Sequence, residues 1–486
     1  SSDKLTYELV ESANGVNPQP HKALGSIQSN DSIDRVKNDV LNNNLGYQII
    51  GRSTENRPID VVFIGNKANP ILKIFIVAAQ HGDERGSRRS AEVIISHLTK
   101  TTELNDICVA VLSNANPDAS HRKKRKTSST DMNRDHLRLS SVENQMLHSF
   151  IQSWKPQVII DLHNYPPSRR FLEKSNHAFY HDVLIDRPTN PNGTNWFDDI
   201  QLNQLIQQVQ SDLSEFSYEC ERYALIYPSG RVRHSTDDIV DLRNFMSVRH
   251  NILTILVEGK EPLQGTNYDL QIQRTVSAQS LAVLSIIKWL AQHKSLLKSS
   301  GVSQFNKGDR YSICHKYVKS EIPLSMKFLN TISNKVELLS LHNYYNSLKA
   351  TKYVRIPNAY GVPSSFRDII DLLHAHGFRS YKAIASELYK IEEYLILSFE
   401  STIKNSPRPP SDVRIISFQD KRRLDNYEIF PTEQEGGHSL LLLMEPQSEY
   451  GLCRYENLGL KLDPGIHFPI LRITDEGLKN GGNELS

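Results

Sequence analysis

The sequence predicts an α/β protein, in which a largely buried sheet is flanked by helices, and a smaller C-terminal domain of α/β or β-rich type. The apolar runs 71–79, 107–112 and 157–162 are continuous and rich in β-branched residues. Such runs are typical of strands that are buried on both faces of a sheet. The helix-like segment 88–98 separates the first two runs. At 486 residues the chain also exceeds the size at which a single core stops growing, so we expect two domains.

The remaining elements follow in chain order. Residues 33–44 are expected to form a short helix, and the apolar segments 47–53 and 57–65 an antiparallel hairpin, because a short polar turn separates them. The run 252–257 is a further strand, and 268–298 a long helix that closes the first domain.

Changes in composition suggest the domain boundaries. Residues 1–30 are rich in Asn, Ser and Pro and are predicted to form a polar arm. The first domain then spans 31–298, and Ser and Gly in 298–303 indicate a linker. Residues 304–486 form the second domain, whose short strands are separated by turn residues and whose segment 366–376 has the pattern of an amphipathic helix.

Charge and cysteine content exclude several classes of protein. Lys plus Arg number 57 and Asp plus Glu 55, so no net field favours nucleic acid or an anionic membrane. No apolar stretch approaches the roughly 20 residues of a membrane-spanning helix. The four cysteines lie far apart, which excludes a zinc ribbon or a dense disulfide framework. The start at Ser1 without Met suits a processed exported protein but does not decide the compartment, which stays open with an exported or periplasmic protein favoured over a cytoplasmic one.

Polar residues follow the ends of the predicted strands. His81 and Glu84 follow the first strand, His163 ends the third, and Glu258 ends the run 252–257. Ligand sites in α/β sheets lie beyond the carboxyl ends of strands, so these residues are expected to share one crevice. Each has an alternative interpretation when taken alone: His163 as a hydrogen-bonded core histidine, Glu258 as a structural ion-pair partner.

The residue types indicate a catalytic metal. His81, Glu84 and His163 form a two-histidine, one-carboxylate set, which binds one Zn²⁺ and leaves a position open for water. Zinc lowers the pKa of its water towards about 7 and polarises a carbonyl oxygen. Hydrolysis also needs a general base that is not a metal ligand, and Glu258 is the candidate.

The segment 131–136, Asp-Met-Asn-Arg-Asp-His, supplies further polar groups. The planar fork of Arg134 and the amide of Asn133 suit the bidentate capture of a carboxylate. Asp131 can accept the second ring N–H of a ligand histidine and so fix its tautomer.

Taken together, the motifs resemble those of the zinc carboxypeptidase family over roughly residues 45–290. The resemblance implies a mixed, eight-stranded sheet flanked by helices. The motifs that carry it are His81-Gly-Asp-Glu84, Asn116-Pro117-Asp118, Asp131-Met-Asn133-Arg134, Asp161-Leu-His163 and Leu256-Val-Glu258.

The resemblance also implies roles for individual residues. Asn133 and Arg134 would bind the C-terminal carboxylate of a peptide substrate, and an arginine upstream would polarise the scissile carbonyl. The basic run 121–126 offers Arg122, Lys124 and Arg125 for that role, and Arg125 is preferred.

The tyrosine that many relatives carry before the catalytic glutamate has no equivalent in 241–249, where Phe245 stands, and Tyr227 is a more distant candidate. This region and the C-terminal segment are instead similar to a bacterial branch of the family that carries a C-terminal extension. We expect no metal site in that extension, because its histidines are scattered: His315, His342, His374 and His376.

Three classes of function are compatible with the sequence. The favoured class is a zinc carboxypeptidase acting on peptides, cell-wall peptides included. The second is a zinc deacylase of the aspartoacylase type, since the opening His-Gly-Asp-Glu motif is similar, although the Asn-Pro-Asp motif argues against it. The third is a pseudoenzyme that binds peptide termini without cutting them, which the complete set of ligands and Glu258 argue against.

Overall fold

The computed structural model describes residues 46–100, 104–127, 130–234, 237–262, 268–297, 305–400, 412–460 and 462–475. The predicted polar arm, the predicted helix 33–44 and the predicted linker 298–303 lie outside these residues. The described chain forms two compact units. The first contains residues 46–247, 251–297 and 317–347, and the second contains residues 248–250, 305–316 and 348–475.

Eleven strands precede residue 261 in the described chain. They are β1 Gly46–Arg52, β2 Pro58–Gly65, β3 Leu72–Ala78, β4 Ile107–Leu112, β5 Val158–Tyr165, β6 His177–Phe179, β7 Val183–Asp186, β8 Cys220–Arg222, β9 Leu225–Ile226, β10 Val232–Arg233 and β11 Leu253–Lys260. Eight of them form one sheet in the order β1-β2-β4-β3-β5-β11-β7-β8. The central strands β4, β3, β5 and β11 run parallel, and β1, β2 and β7 add antiparallel pairs.

Helices cover both faces of this sheet. The described helices are α1 Arg85–Leu98, α2 Pro117–Arg122, α3 Val142–Trp154, α4 Arg170–Glu173, α5 Asp199–Ser214, α6 Leu242–His250, α7 Tyr268–Gln292, α8 Lys294–Leu297, α9 Arg367–Ala375 and α10 Leu440–Met444. One face of the sheet packs its aliphatic side chains against α1, α5 and α7. On the opposite face, Phe75 of β3 contacts Phe150 and Trp154 of α3, with ring centroids 5.0 and 6.3 Å away.

The predicted α/β class with a mixed eight-stranded sheet is therefore confirmed. Strands β4 and β5 are buried along their whole length, which explains their continuous apolar sequences. The predicted hairpin is formed by β1 and β2, with an irregularity between Ile49 and Gly51. No helix among the described residues is long and apolar enough to cross a membrane.

The rest of the described chain is rich in strands. They are β12 Arg310–Lys319, β13 Leu324–Asn330, β14 Val336–Leu341, β15 Tyr344–Arg355, β16 Ala359–Pro363, β17 Tyr381–Lys382, β18 Tyr389–Glu400, β19 Asp412–Arg422, β20 Tyr427–Pro431 and β21 Leu471–Ile473. The second unit contains a six-stranded sheet in the order β17-β20-β16-β21-β18-β19. Smaller sheets have the orders β12-β15-β10-β9 and β14-β13-β6.

The predicted division into 31–298 and 304–486 stays a prediction. Within the described residues, β13 and β14 belong to the first unit, because β13 pairs antiparallel with β6 at Phe328 and Phe179. These two rings lie in a small apolar core together with Leu184 of β7. Residues 317–347 therefore support the sheet that carries the strand ends described below.

We predict that Phe75→Ala lowers the free energy of unfolding of the first unit by about 3–5 kcal/mol, because it leaves a cavity between β3 and α3. All three tryptophans lie in the first unit, so urea denaturation followed by tryptophan fluorescence reports on it. The control is Ile200→Ala, since Ile200 is 64% exposed and its loss should change stability by less than about 0.5 kcal/mol. Equal unfolding midpoints for the two variants would contradict the proposed packing.

Candidate metal centre

The parallel strands β3, β5 and β11 place their carboxyl ends at one edge of the sheet. Val77 of β3 is paired with Asp161 of β5, and His163 of β5 is paired with Glu258 of β11. Beyond β3 the chain turns sharply at Ala79, whose φ of 59° lies in the left-handed region. This turn brings His81 and Glu84 back over the ends of the other strands.

The turn requires glycine at position 82. A Cβ at Gly82 would lie 2.1 Å from the backbone carbon of Ala119, so no side chain fits there. The Gly82 N–H donates to the backbone oxygen of Arg125 at 3.3 Å. The loop that carries His81 is thus packed directly against α2 and the basic run that follows it.

His81, Glu84 and His163 converge in a buried cluster. One ligand atom from each residue lies within 4.8 Å of the other two. Nδ1 of His81 is 2.7 Å from Oε1 of Glu84, and Nδ1 of His163 is 3.1 Å from Oε2. The side chains are at most 5% exposed. The structure thus brings together the three residues predicted to hold a metal.

Two aspartates fix the orientation of the imidazole rings. Nε2 of His81 is 2.9 Å from Asp131 Oδ1, and Nε2 of His163 is 3.0 Å from Asp161 Oδ1. Because an ionised carboxylate only accepts hydrogen bonds, each Nε2 must carry the proton. The Nδ1 lone pairs therefore point at the Glu84 oxygens.

The three side chains form a set of ligand atoms that fits a zinc ion. The Nδ1 lone pairs of the two histidines face the Glu84 carboxylate oxygens at 2.7 and 3.1 Å. These electron-rich atoms repel one another unless a cation lies between them. Two imidazoles and one carboxylate are the ligand set of a catalytic zinc site. His81, Glu84 and His163 are therefore the residues that would hold a zinc ion.

The pKa values show the same attraction for positive charge. Burial alone would raise the pKa of Glu84, but His163 and His81 outweigh it and lower that pKa to about 2. Burial would lower the pKa of His81, yet its hydrogen bonds to Asp131 and Glu84 raise it overall. Protons on the imidazoles thus compete with the metal, so zinc binding must release them.

Sequence reasoning missed the role of Asp161 and of Gln80. Gln80 is fully buried, donates from Nε2 to Asp161 at 2.8 Å and accepts at Oε1 from His136 Nε2 at 2.7 Å. His136 in turn contacts His148 at 2.9 Å. The sequence did contain a signal for Asp161. Asp161 and His163 are two residues apart on one strand, so their side chains project to the same face of the sheet.

Glu258 lies beside the metal ligands without joining them. Its Cα is paired with that of His163 on the neighbouring parallel strand. Burial raises its pKa to about 7; the opposing effect of His163 is partly cancelled by Glu84 and Asp161. Among the described residues nothing forms an ion pair with its carboxylate, in contrast to Glu84. A carboxylate in this state can accept a proton near neutral pH.

Asn133 and Arg134 lie in a short 3₁₀ helix, Met132–Arg134, next to this centre. The side-chain nitrogen of Asn133 is 3.4 Å from Nε2 of His163, and its Oδ1 accepts the Leu242 N–H at 3.0 Å. Arg134 is exposed, and its Nη1 donates to the Asn133 backbone oxygen at 2.7 Å. Its guanidinium is therefore open to a carboxylate that approaches from solvent.

Of the three basic candidates upstream, Arg125 lies next to the metal ligands. Its Nε donates to Asp131 at 3.0 Å, and its Nη1 is 3.9 Å from Glu84 Oε1. About half of its side chain is exposed. Arg122 forms an ion pair with Glu55 instead, and Lys124 is exposed.

The other residues singled out in the sequence are held in hydrogen bonds or packing contacts with neighbouring side chains. Asp118 accepts hydrogen bonds from Ser53 Oγ and Arg57 Nη1 at 2.6 and 2.7 Å, which ties the β1–β2 turn to α2. Phe245 is buried against His148, with ring centroids 5.3 Å apart. Tyr227, the distant candidate, is instead covered by the guanidinium groups of Arg231 and Arg233.

Two further residues near Glu258 were not predicted from the sequence. Burial raises the pKa of Tyr223, and the nearby charge of Glu258 adds to the effect. Burial also raises the pKa of Glu261 to about 7, with Glu84, Asp83 and Glu258 adding to it. Tyr223 is distant from the motifs in sequence, so no local pattern could have indicated it.

A buried zinc centre of this composition, beside a carboxylate with raised pKa, defines a zinc hydrolase. Residues 41–138 match the zinc carboxypeptidase family. This match covers only part of the chain, and it includes His81, Glu84, Asn133 and Arg134, which belong to the motifs that carried the resemblance.

The comparison with individual known proteins gives low sequence identities. Carboxypeptidase 2 of Trichophyton rubrum is 19% identical over 435 residues, which cover 84% of this chain and 78% of the relative. Among solved structures, a metallo-carboxypeptidase of Burkholderia cenocepacia is 14% identical with a TM-score of 0.41, over 54% of this chain and 70% of its own. Carboxypeptidase A of Helicoverpa armigera is 13% identical with a TM-score of 0.41, over 60% and 80%.

We predict that His81→Ala and His163→Ala each purify with little zinc, because a two-ligand remnant binds the ion weakly. The matched control is His293→Ala, since His293 stacks on Trp289 away from this centre. Elemental analysis of the three variants measures the difference. Full zinc occupancy in both ligand variants would show that the ion is held elsewhere.

A second prediction concerns Asp161, which orients His163. Asp161→Asn keeps the size of the side chain but removes the charge that holds the Nε2 proton, so zinc affinity should fall about 10- to 100-fold. Competition with a chelator of known affinity measures it. Asp106→Asn is the control, because Asp106 pairs with Lys294 instead. Equal affinity in both variants would show that Asp161 does not support the ligand.

Proposed function

We propose that this protein is a carboxypeptidase that hydrolyses the C-terminal peptide bond of a peptide with a free C-terminus. The observation that carries this proposal is the juxtaposition of Asn133 and Arg134 with the zinc ligands: the Asn133 amide lies 3.4 Å from Nε2 of His163. An amide at this distance from a metal ligand, followed in the chain by the exposed guanidinium of Arg134, suits a carboxylate one residue away from the bond to be cut.

Glu258 acts as the general base in this proposal. Zinc supplies an acidified water and a polarised carbonyl oxygen when it is bound. Glu258 takes the proton of the attacking water and later delivers it to the nitrogen of the leaving amino acid. Its raised pKa, about 7, matches both steps, because the group can hold and release a proton near neutral pH.

The arginines hold the substrate. Arg134 and the side-chain nitrogen of Asn133 bind the terminal carboxylate, since Asn133 Oδ1 is already occupied by the Leu242 N–H. Arg125 lies beside Glu84 and Asp131, so its guanidinium can stabilise the charge that develops on the scissile carbonyl oxygen. Asp131 therefore serves both His81 and Arg125.

The assignment to a bacterial branch with a C-terminal accessory domain is part of the same proposal. It is supported by the sequence before Glu258, where Arg243 and Arg249 stand, and by the β-rich second unit. Among the described residues that unit contains no cluster of three metal-ligating side chains. We therefore assign the chemistry to the first unit alone.

We predict that Glu258→Gln lowers kcat about 10²- to 10⁴-fold with full zinc content, because glutamine keeps the shape but cannot accept the proton. Zinc stoichiometry and turnover are measured on the same preparation. Glu261→Gln is the control, since Glu261 also has a raised pKa but lies three residues beyond the strand position that faces His163.

The paired measurement separates three outcomes. Loss of zinc in Glu258→Gln would identify the residue as a ligand. Full zinc with full activity would show that the base lies elsewhere. Wild-type protein that binds zinc but cleaves no peptide would be a binding protein rather than an enzyme.

We also predict that Arg134→Ala loses discrimination between free-acid and amidated peptides. A charge-assisted contact to the terminal carboxylate is worth roughly 1.5–3 kcal/mol, or about ten- to a hundred-fold in binding. The rate constants kcat/KM for matched peptide pairs, with L- and D-configured C-termini, measure it. Arg122→Ala is the control, because Arg122 pairs with Glu55. A wild-type enzyme that cleaves acid and amide equally would be an endopeptidase or a deacylase.

A further inference from the structure

Strand β19 is the outermost strand of the six-stranded sheet in the second unit. It pairs antiparallel with β18, and no other strand in the described part of the chain pairs with its outer edge. The side chain of Gln447 donates to the backbone oxygen of Val413 at 2.6 Å, so we count the open edge from Arg414 onwards. An open edge presents N–H and C=O groups that can pair with a strand from another chain.

The exposed face of β19 carries large apolar side chains. Ile416 is 43% exposed and Phe418 is 45% exposed, although both lie within a strand of the sheet. Side chains alternate along a strand, so Arg414, Ile416, Phe418 and Asp420 share this face. Val413 projects to the opposite face, where it is buried. Two apolar groups thus lie in solvent on a strand with an open edge.

The same face carries opposite charges at equal distances from Ser417. Arg414 lies three residues before Ser417, and Asp420 lies three residues after it. Arg414 is exposed and forms no ion pair with any residue that the structure describes. The Asp420 side chain is 53% exposed, with its carboxylate 3.1 Å from Arg422. The strand is therefore complementary in charge to an inverted copy of itself.

We propose that two copies of this chain pair through β19, antiparallel and centred on Ser417, so that the sheet continues from one copy into the other. In this register Arg414 lies opposite Asp420 of the partner subunit, and Ile416 lies opposite Phe418 of the partner subunit. Two-fold symmetry repeats each contact. Pairs of opposite charge and pairs of an aromatic with a β-branched side chain stabilise antiparallel strands.

Neighbouring registers fit less well. A pairing centred on Phe418 would place Arg414 opposite Arg422, which joins like charges. A pairing centred on Ile416 would place Arg414 opposite Phe418 and leave the charge without a partner. A slip by a single residue would turn the exposed face of one copy to the covered side of the other. Because both copies use the same edge, the assembly closes at two chains.

Sedimentation equilibrium of the full chain over a range of concentrations tests the proposal. The wild-type protein should be a dimer in reversible equilibrium with its monomer. Arg414→Asp places like charges opposite each other twice, so the dissociation constant of the dimer should rise about 10- to 100-fold. Lys421→Glu is the control, because it changes the net charge equally on the same strand but lies opposite Val413 in this register.

Three results of this experiment overturn the proposal. They are a wild-type protein that stays monomeric at every concentration, an assembly larger than a dimer, and equal dissociation constants for Arg414→Asp and Lys421→Glu. A monomer would mean that the edge is covered within one chain or left unpaired. None of these outcomes bears on the proposed carboxypeptidase function, because the interface lies in the second unit.

Mixing two variants tests the register itself. Asp420→Arg alone should also weaken the dimer, because arginines at positions 414 and 420 would then face each other. An equimolar mixture of Arg414→Asp and Asp420→Arg should form a heterodimer, since every opposite pair then joins unlike charges. Both substitutions are at exposed positions, so both variants should fold. Native mass spectrometry distinguishes the heterodimer by mass, and a mixture without it overturns the proposal.

Discussion

The site depends on the way two aspartates direct two imidazole rings. Asp131 and Asp161 each hold a ring Nε2 proton, so His81 and His163 turn their Nδ1 lone pairs toward Glu84. This arrangement of acceptors is unfavourable without a cation. The sheet is what enforces it, because His163 lies on a fully buried strand and His81 on a turn with no room for a side chain at Gly82.

Asp131 and Asn133 link the metal ligands to the residues proposed to bind the substrate. Asp131 contacts Arg125 as well as His81, and Asn133 contacts both the ring of His163 and the first residue of α6. The groups proposed to bind the substrate are therefore positioned by contacts with the same residues that orient or form the metal site. A substitution in either aspartate should disturb metal binding and substrate placement together.

Sequence reasoning predicted the sheet and the metal ligands because both leave local signals. Apolar runs mark the buried strands, and polar residues such as His163 and Glu258 end them. It could not place Tyr223 near Glu258, because Tyr223 bonds to Ile185 of β7 and reaches Glu258 only through the pairing of β7 with β11. Nor could periodicity show that β13 and β14 pack with the first unit, since that depends on pairing with β6, some 150 residues earlier.

The most direct test of the account is a crystal structure of the zinc-loaded protein with anomalous diffraction data at the zinc absorption edge. We predict one peak per chain, about 2.0–2.2 Å from Nδ1 of His81, an oxygen of Glu84 and Nδ1 of His163. Nε2 of both rings should remain on Asp131 and Asp161. A peak bound through Nε2, or one centred on other residues, would contradict it.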